Sequence, residues 1–187
     1  MRELSLNVMD IAQNSVVAGA DRVEVIITED FTVNELSIAI NDNGKGMSEE
    51  QVRSVTDPFF TTRTTRSVGL GVPLFKMEAE MTGGHFEISS TLGVGTKLKA
   101  VFVTNHIDMI PLGDINSTML PLITQHPEIN FVYQRIVRKA DGTELDFSVE
   151  TNEIKEILGD DVPLDNPEIY LWLKDFFEEN TAELYKQ

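Results

Sequence analysis

The run Asp42-Asn43-Gly44-Lys45-Gly46-Met47 fixes where one strand of this chain must stop. Leu36–Ile40 just before it is mostly apolar and branched and reads as a strand, but two glycines within three residues cannot prolong it. Gly44 and Gly46 permit a tight turn and let backbone approach a flat ligand closely. Asp42 is thereby set at a strand end, where its carboxylate can accept a hydrogen bond from an exocyclic amine. An ordinary Asp-Asn-Gly turn has the same letters, so the run takes its meaning from what surrounds it.

Upstream, Leu4, Val8, Ile11, Ala12 and Ser15 recur on one side of a helix, while Asn7, Asp10 and Asn14 recur on another. Gly19 closes that helix, and Arg22–Thr28 reads as a strand. Asp10 and Asn14 are one helical turn apart and project from the same face. A carboxylate and an amide oxygen so placed can hold a water and a hard metal ion together. Mg²⁺ takes oxygen ligands, keeps several waters and is completed by phosphates, so one asparagine from the protein suffices.

Downstream, Ser48 with Gln51 forms a capping box for a short helix reaching about Val55. Asp57-Pro58-Phe59-Phe60 and a polar run, Thr61 to Ser67, lead into Val68-Gly69-Leu70-Gly71-Val72. These glycines stand immediately before a helix to about Met81, whose free N–H groups and dipole attract phosphate. Gly83-Gly84 ends it. Phe86–Ser90 and Lys97–Val103 read as strands joined by a turn around Gly93-Val94-Gly95, with the Thr96 hydroxyl just ahead of the second.

Four boxes in this order resemble the GHKL superfamily, whose ATP-binding fold is shared by sensor histidine kinases, anti-sigma serine kinases, type II topoisomerases, a heat-shock chaperone and MutL. The stretch Asn14-Ser15-Val16-Val17-Ala18-Gly19-Ala20-Asp21 looks most like MutL, and Asp57-Pro58-Phe59-Phe60-Thr61-Thr62-Arg63 most like histidine kinases. The resemblance covers roughly residues 3–104. It implies a Bergerat-type α+β two-layer sandwich, a mixed and mostly antiparallel sheet with helices on one face. It further implies ATP and Mg²⁺ as ligands, with Asn14 on the metal, Asp10 in the place of the acid that orients or activates water, and Asp42 as adenine reader. Ala18, Gly44, Gly46, Met47 and Thr96 would line or support the adenine pocket. Gly69, Leu70, Gly71 and Val72 would meet the phosphates, Phe59 and Phe60 would anchor the start of the lid, Thr62 would also contact the nucleotide, and Arg63 and Arg66 on the short linker would reach a phosphate. Departures from the pattern are Asp10 where many hydrolytic relatives carry Glu, Val17 where MutL has Asp, and a short linker between Phe60 and Gly69.

Beyond Asn105 the acid is concentrated: 17 Asp and Glu against 6 Lys and Arg place −11 of the chain's −16 there. Such a balance argues against a nucleic-acid partner, because phosphate binding depends on basic side chains. No segment reaches the ~18 apolar residues of a membrane span, and the polar start marks no export signal, so a cytoplasmic protein is expected. With no cysteine, thiolate metal sites and cysteine nucleophiles are excluded. Residues 105–187 are expected to form a smaller α+β extension, packed on the ATP-binding domain of residues 1–104 or making a subdomain. Its elements are a helix within Asp114–Thr124, a hairpin of Ile129–Arg138 and Glu144–Glu150 around Asp141-Gly142, and a last helix capped by Asn166 with Pro167 in its first turn. Ile169, Trp172, Leu173, Phe176 and Phe177 are read as that helix's buried stripe.

A sensor kinase carries a helical region with its phosphoacceptor histidine ahead of this domain, and here the first helix begins at the chain start. None of His85, His106 and His126 resembles that acceptor. Three uses of ATP stay open: a regulatory module whose surface changes for a protein partner, a protein kinase acting in trans, and an ATP-driven clamp like MutL. The oligomeric state is open as well.

Overall fold

Burial alternates residue by residue along most strands, as expected of a sheet covered on one face. In the computed structural model, which describes residues 3–57, 71–159 and 162–186, the helices are α1 (Leu4–Val17), α2 (Glu49–Thr56), α3 (Gly71–Met81), α4 (Ile115–Gln125), α5 (Thr151–Leu158) and α6 (Pro167–Glu183). The strands are β1 (Arg22–Asp30), β2 (Glu35–Asp42), β3 (His85–Thr91), β4 (Gly95–Val103), β5 (Asn130–Arg138) and β6 (Glu144–Glu150). They form one six-stranded sheet in the order β3-β4-β2-β1-β5-β6. Only β1 and β5 pair in parallel; the other neighbours are antiparallel. The fold is thus a mixed α+β sandwich, as the motifs imply.

Val23, Val25 and Ile27 of β1, Leu36, Ile38 and Ile40 of β2, and Phe131 and Tyr133 of β5 lie on the covered face. Against them rest Leu4, Val8, Ile11 and Ala12 of α1, Phe75 and Ala79 of α3, Met119 and Ile123 of α4, and Leu173 and Phe177 of α6. The opposite face, with Ile26, Ala39 and Val132, is half-exposed. Among the described residues no helix is long and apolar enough to cross a membrane.

Residues 105–187 join the sheet through β5 and β6 and also anchor α1, whose Leu4 and Ser5 N–H groups donate to the carbonyls of Pro111 and Leu112. A buried polar network ties the same region together. Arg135, 6% exposed, donates to Glu29 and to the Tyr185 hydroxyl, each at 2.5 Å, and Tyr185 in turn donates to Glu29. Burial raises the Tyr185 and Tyr133 hydroxyls above the ordinary phenol range and keeps both as donors. Tyr133 donates to Asn116 at 2.8 Å, and Asn116 donates to Thr181 of α6 at 2.9 Å.

Three features differ from the sequence expectation. α5 follows β6 without a break and was not expected, because Thr151-Asn152 carries no glycine or proline signal; Thr151 is buried and its hydroxyl accepts from the Phe131 N–H. β2 runs on through Asn41 to Asp42, since pairing with β4 holds it to its end. Trp172 does not belong to the buried stripe: it is 43% exposed, and Leu173, Phe177 and Thr181 form the buried line of α6.

Candidate nucleotide site

Asp42 keeps the parity of Leu36, Ile38 and Ile40, so its carboxylate points into the same layer as the core, at the end of the sheet beneath α1. Ser15 of α1, 3% exposed, donates its hydroxyl to Asp42 Oδ2 at 2.8 Å. The Gly44 N–H donates to Oδ1 at 2.9 Å. Each oxygen has thus accepted one bond and retains acceptor capacity, since an ionised carboxylate offers about four lone-pair positions. Asn43 accepts from the N–H groups of Asp21 and Arg22 at 3.1 and 3.0 Å, which ties the turn to the start of β1.

Beyond Asp42 the loop is held on two sides. The Lys45 N–H donates to the Ala18 carbonyl at 3.0 Å, and the Gly93 N–H to the Lys45 carbonyl at 2.8 Å. Gly46 has φ +63, and a Cβ there would lie 2.0 Å from the Thr91 carbonyl oxygen, so no other residue fits without moving the β3–β4 turn. Ser90 is the hub of this corner. Its hydroxyl accepts from the Met47 N–H at 2.8 Å, donates to the Gly95 carbonyl at 2.9 Å, and therefore accepts from Thr96 Oγ1, also at 2.9 Å. Thr96 is the direct cross-strand partner of Asp42.

On α1, Asp10 is exposed and Asn14 half-buried. Among the described residues neither side chain takes part in a hydrogen bond or ion pair, whereas Asn7 in the same polar stripe donates to Glu78 and pins α1 to α3. Gly71 opens α3 directly against Asp10: a Cβ there would stand 2.9 Å from the Asp10 Cβ. Val72 beside it is buried. Phe59, Phe60, Thr62, Arg63, Arg66, Gly69 and Leu70 lie outside the described residues.

The structure therefore brings Asp42, Gly44, Gly46, Met47 and Thr96 into one hydrogen-bonded corner with Ala18, and sets Gly71 against Asp10, with Val72 buried next in α3. Two members escaped the sequence reading. In the sequence Ser15 reads as part of a buried stripe, and Ser90 as a strand end. Both are polar residues on faces where the pattern calls for apolar ones, and that mismatch is the signal that could have found them.

These residues suit a purine nucleotide with a divalent ion. The Asp42 carboxylate, held by two donors, retains acceptor capacity, and Gly71 brings the start of α3 against the unengaged Asp10. Among the described residues no group of three or more His, Asp or Glu could hold a metal, so an ion at Asn14 would depend on the nucleotide's phosphates.

Residues 1–107 match the model of the histidine kinase-, DNA gyrase B-, and HSP90-like ATPases. The chain belongs to this family. It is 26% identical over 132 residues to the autoinducer 2 sensor kinase/phosphatase LuxQ of Vibrio cholerae, covering 68% of this chain and 15% of that protein. It is 33% identical over 101 residues to the sensor protein SrrB of Staphylococcus aureus, covering 51% of this chain and 17% of SrrB. The chain thus spans about a sixth of the length of these relatives. Among solved structures, the Aquifex aeolicus MutL ATPase domain complexed with ADP aligns with a TM-score of 0.46 at 17% identity, covering 84% of this chain and 68% of that one.

Proposed function

We propose that the chain is a regulatory Mg-ATP-binding module, in which nucleotide at the Asp42 corner changes the surface offered to a protein partner. The observation that carries the reading is the Asp42 carboxylate, oriented by Ser15 and Gly44 with acceptor sites left over for an adenine amine. Asn14 supplies an amide oxygen for Mg²⁺, and Thr96, Met47 and Ala18 frame the base. Gly71 and Val72 border the phosphate end; Gly69, Leu70, Phe60, Thr62 and Arg63 are assigned to the phosphates and the lid by the sequence resemblance alone. An ATP ligand is in keeping with a cytoplasmic protein. Bound Mg-ATP supplies a transferable γ-phosphoryl group, and Asp10 lies on the exposed side of α1, where it can take a proton from water or from a hydroxyl of another protein.

That exposure favours a second reading, phosphoryl transfer to a separate protein. The two are separated by incubating the chain with γ-labelled ATP and cell extract. Label on a second protein supports the kinase; partner affinity that shifts with ATP, without label transfer, supports the module.

Asp10 has one methylene less than the usual Glu, so turnover should be slow; general-base catalysis typically contributes ~10²–10⁴-fold. Asp10→Asn is expected to lower phosphate release further while ATP binding is kept. Equal steady-state rates for the two proteins at saturating Mg-ATP would remove Asp10 from the chemistry.

Ser15→Ala should weaken ATP binding about three- to tenfold, because one of the two donors that hold Asp42 is lost, a contribution of roughly 1 kcal/mol. The measurement is a titration of both proteins by calorimetry, with melting temperature as control. Undiminished affinity in a folded variant would show that Ser15 does not position the carboxylate.

A further inference from the structure

The exposed side of α6 carries an arrangement that the nucleotide site does not use. Glu168, Trp172, Asp175, Phe176 and Glu179 recur at three- and four-residue spacing and share one helix face. Trp172 stacks on Phe176 with ring centroids 5.5 Å apart and planes 15° from parallel, and Phe176 in turn meets Phe147 edge-on at 5.7 Å. The indole is thus the outer plate of an aromatic stack footed in the core, while 43% of Trp172 remains in solvent. Glu168, Asp175 and Glu179 are in no ion pair among the described residues. Lys174, the one cation on this helix, lies away from this face, more than a third of a turn round the helix, and pairs with Glu178 at 3.8 Å.

We infer that this face docks a basic segment of a partner protein, with an arginine or lysine over the Trp172 ring and neighbouring cations against the three carboxylates. Charge complementarity selects that occupant. An aromatic face attracts a cation through its quadrupole, and a rim of three unpaired carboxylates on a chain of net charge −16 repels acidic surfaces and a second copy of itself. A purely apolar partner would leave the carboxylates unpaired beside it. Rigidity adds to the fit, because the stack is already formed and loses little freedom on binding. This inference does not depend on the nucleotide reading, since docking is measured without ATP.

Trp172 is the chain's sole tryptophan, so its emission reports this face alone. The probe is a ten-residue peptide with four arginines spaced by alanine, compared with the same peptide carrying glutamine in their place. The arginine peptide should shift or quench Trp172 emission saturably, and the glutamine peptide should not. With a labelled peptide followed by anisotropy, Trp172→Leu should lose about two- to fivefold in affinity. The triple variant Glu168→Gln, Asp175→Asn, Glu179→Gln should lose roughly tenfold. A second triple variant, Glu35→Gln, Glu50→Gln, Glu153→Gln, removes the same net charge elsewhere and should lose far less. Equal losses in the two triple variants would reduce the effect to overall charge and overturn the inference. Binding without any change in Trp172 emission would place the peptide elsewhere and overturn it too. Emission that varies with protein concentration alone, with a matching mass increase in sedimentation, would assign the face to a second copy instead.

Discussion

A chain ended after Val103 is expected to accumulate as aggregate or as an unfolded species. The loss removes β5, and with it the whole hydrogen-bonded outer edge of β1, from Arg22↔Asn130 to Asp30↔Arg138. It also removes the carbonyls of Pro111 and Leu112 that receive the first N–H groups of α1, the helix that carries Asp10, Asn14 and Ser15. Phe131, Tyr133, Met119, Leu173 and Phe177 are nearly fully buried, and each contributes about 1.5–3 kcal/mol by burial. Such a sum is comparable to the roughly 5–15 kcal/mol that holds a domain folded. An open, flat strand edge beside uncovered apolar side chains is also a template for association. The check is soluble yield and thermal unfolding of residues 1–103 beside the full chain. A soluble fragment melting within a few degrees of the parent would show that the α1–β1–β2 unit stands without its C-terminal half.

Asp42→Asn should weaken ATP binding by one to two orders of magnitude while the protein stays folded. Loss of a charge-assisted hydrogen bond in a half-buried site costs about 1.5–3 kcal/mol, and the amide must turn an NH₂ toward either the Ser15 hydroxyl or the Gly44 N–H. Both neighbours are donors in this geometry, so one of them is left facing a donor. Equilibrium binding of ATP to the two proteins decides the matter. Asn14→Ala run alongside should instead abolish the Mg²⁺ enhancement of binding and leave most of the metal-free affinity. If Asp42→Asn binds as the parent does, the corner reads some other ligand.

The local devices were legible in the residues. Ser48 and Gln51 form a complete capping box, Asn166 caps α6 with Pro167 at its first position, and the β5–β6 hairpin closes around Asp141-Gly142 as its alternation implies. Each of these is set by neighbours within four or five residues. The parallel pairing of β1 with β5 is of another kind, because nothing in either strand names its partner; both are apolar on one side and polar on the other. The site was legible to the extent that glycines and acids announce it. Its supporting hydroxyls, Ser15 and Ser90, were not, because their partners lie 27 and 43 positions away. Trp172 is hard to place from sequence for a simpler reason: a stripe five residues wide on a helix also includes its shoulder, and only the contacts of Phe177 with Tyr133 and Phe147 decide which side is inside.

The parallel pairing also bears on how the chain is made. β1 acquires its neighbour β2 within a few residues of leaving the ribosome, but β5 begins roughly a hundred residues after β1 ends. At about 5–20 residues per second, that leaves one edge of a central strand unpaired for roughly 5–20 seconds in every round of synthesis. During that interval α1 and the nucleotide corner already exist as polypeptide, and occupancy of the corner could hold the nascent half together before its final strand arrives. Folding yield in a cell-free translation system should then depend on ATP beyond what translation itself consumes, a dependence that Asp42→Asn would abolish.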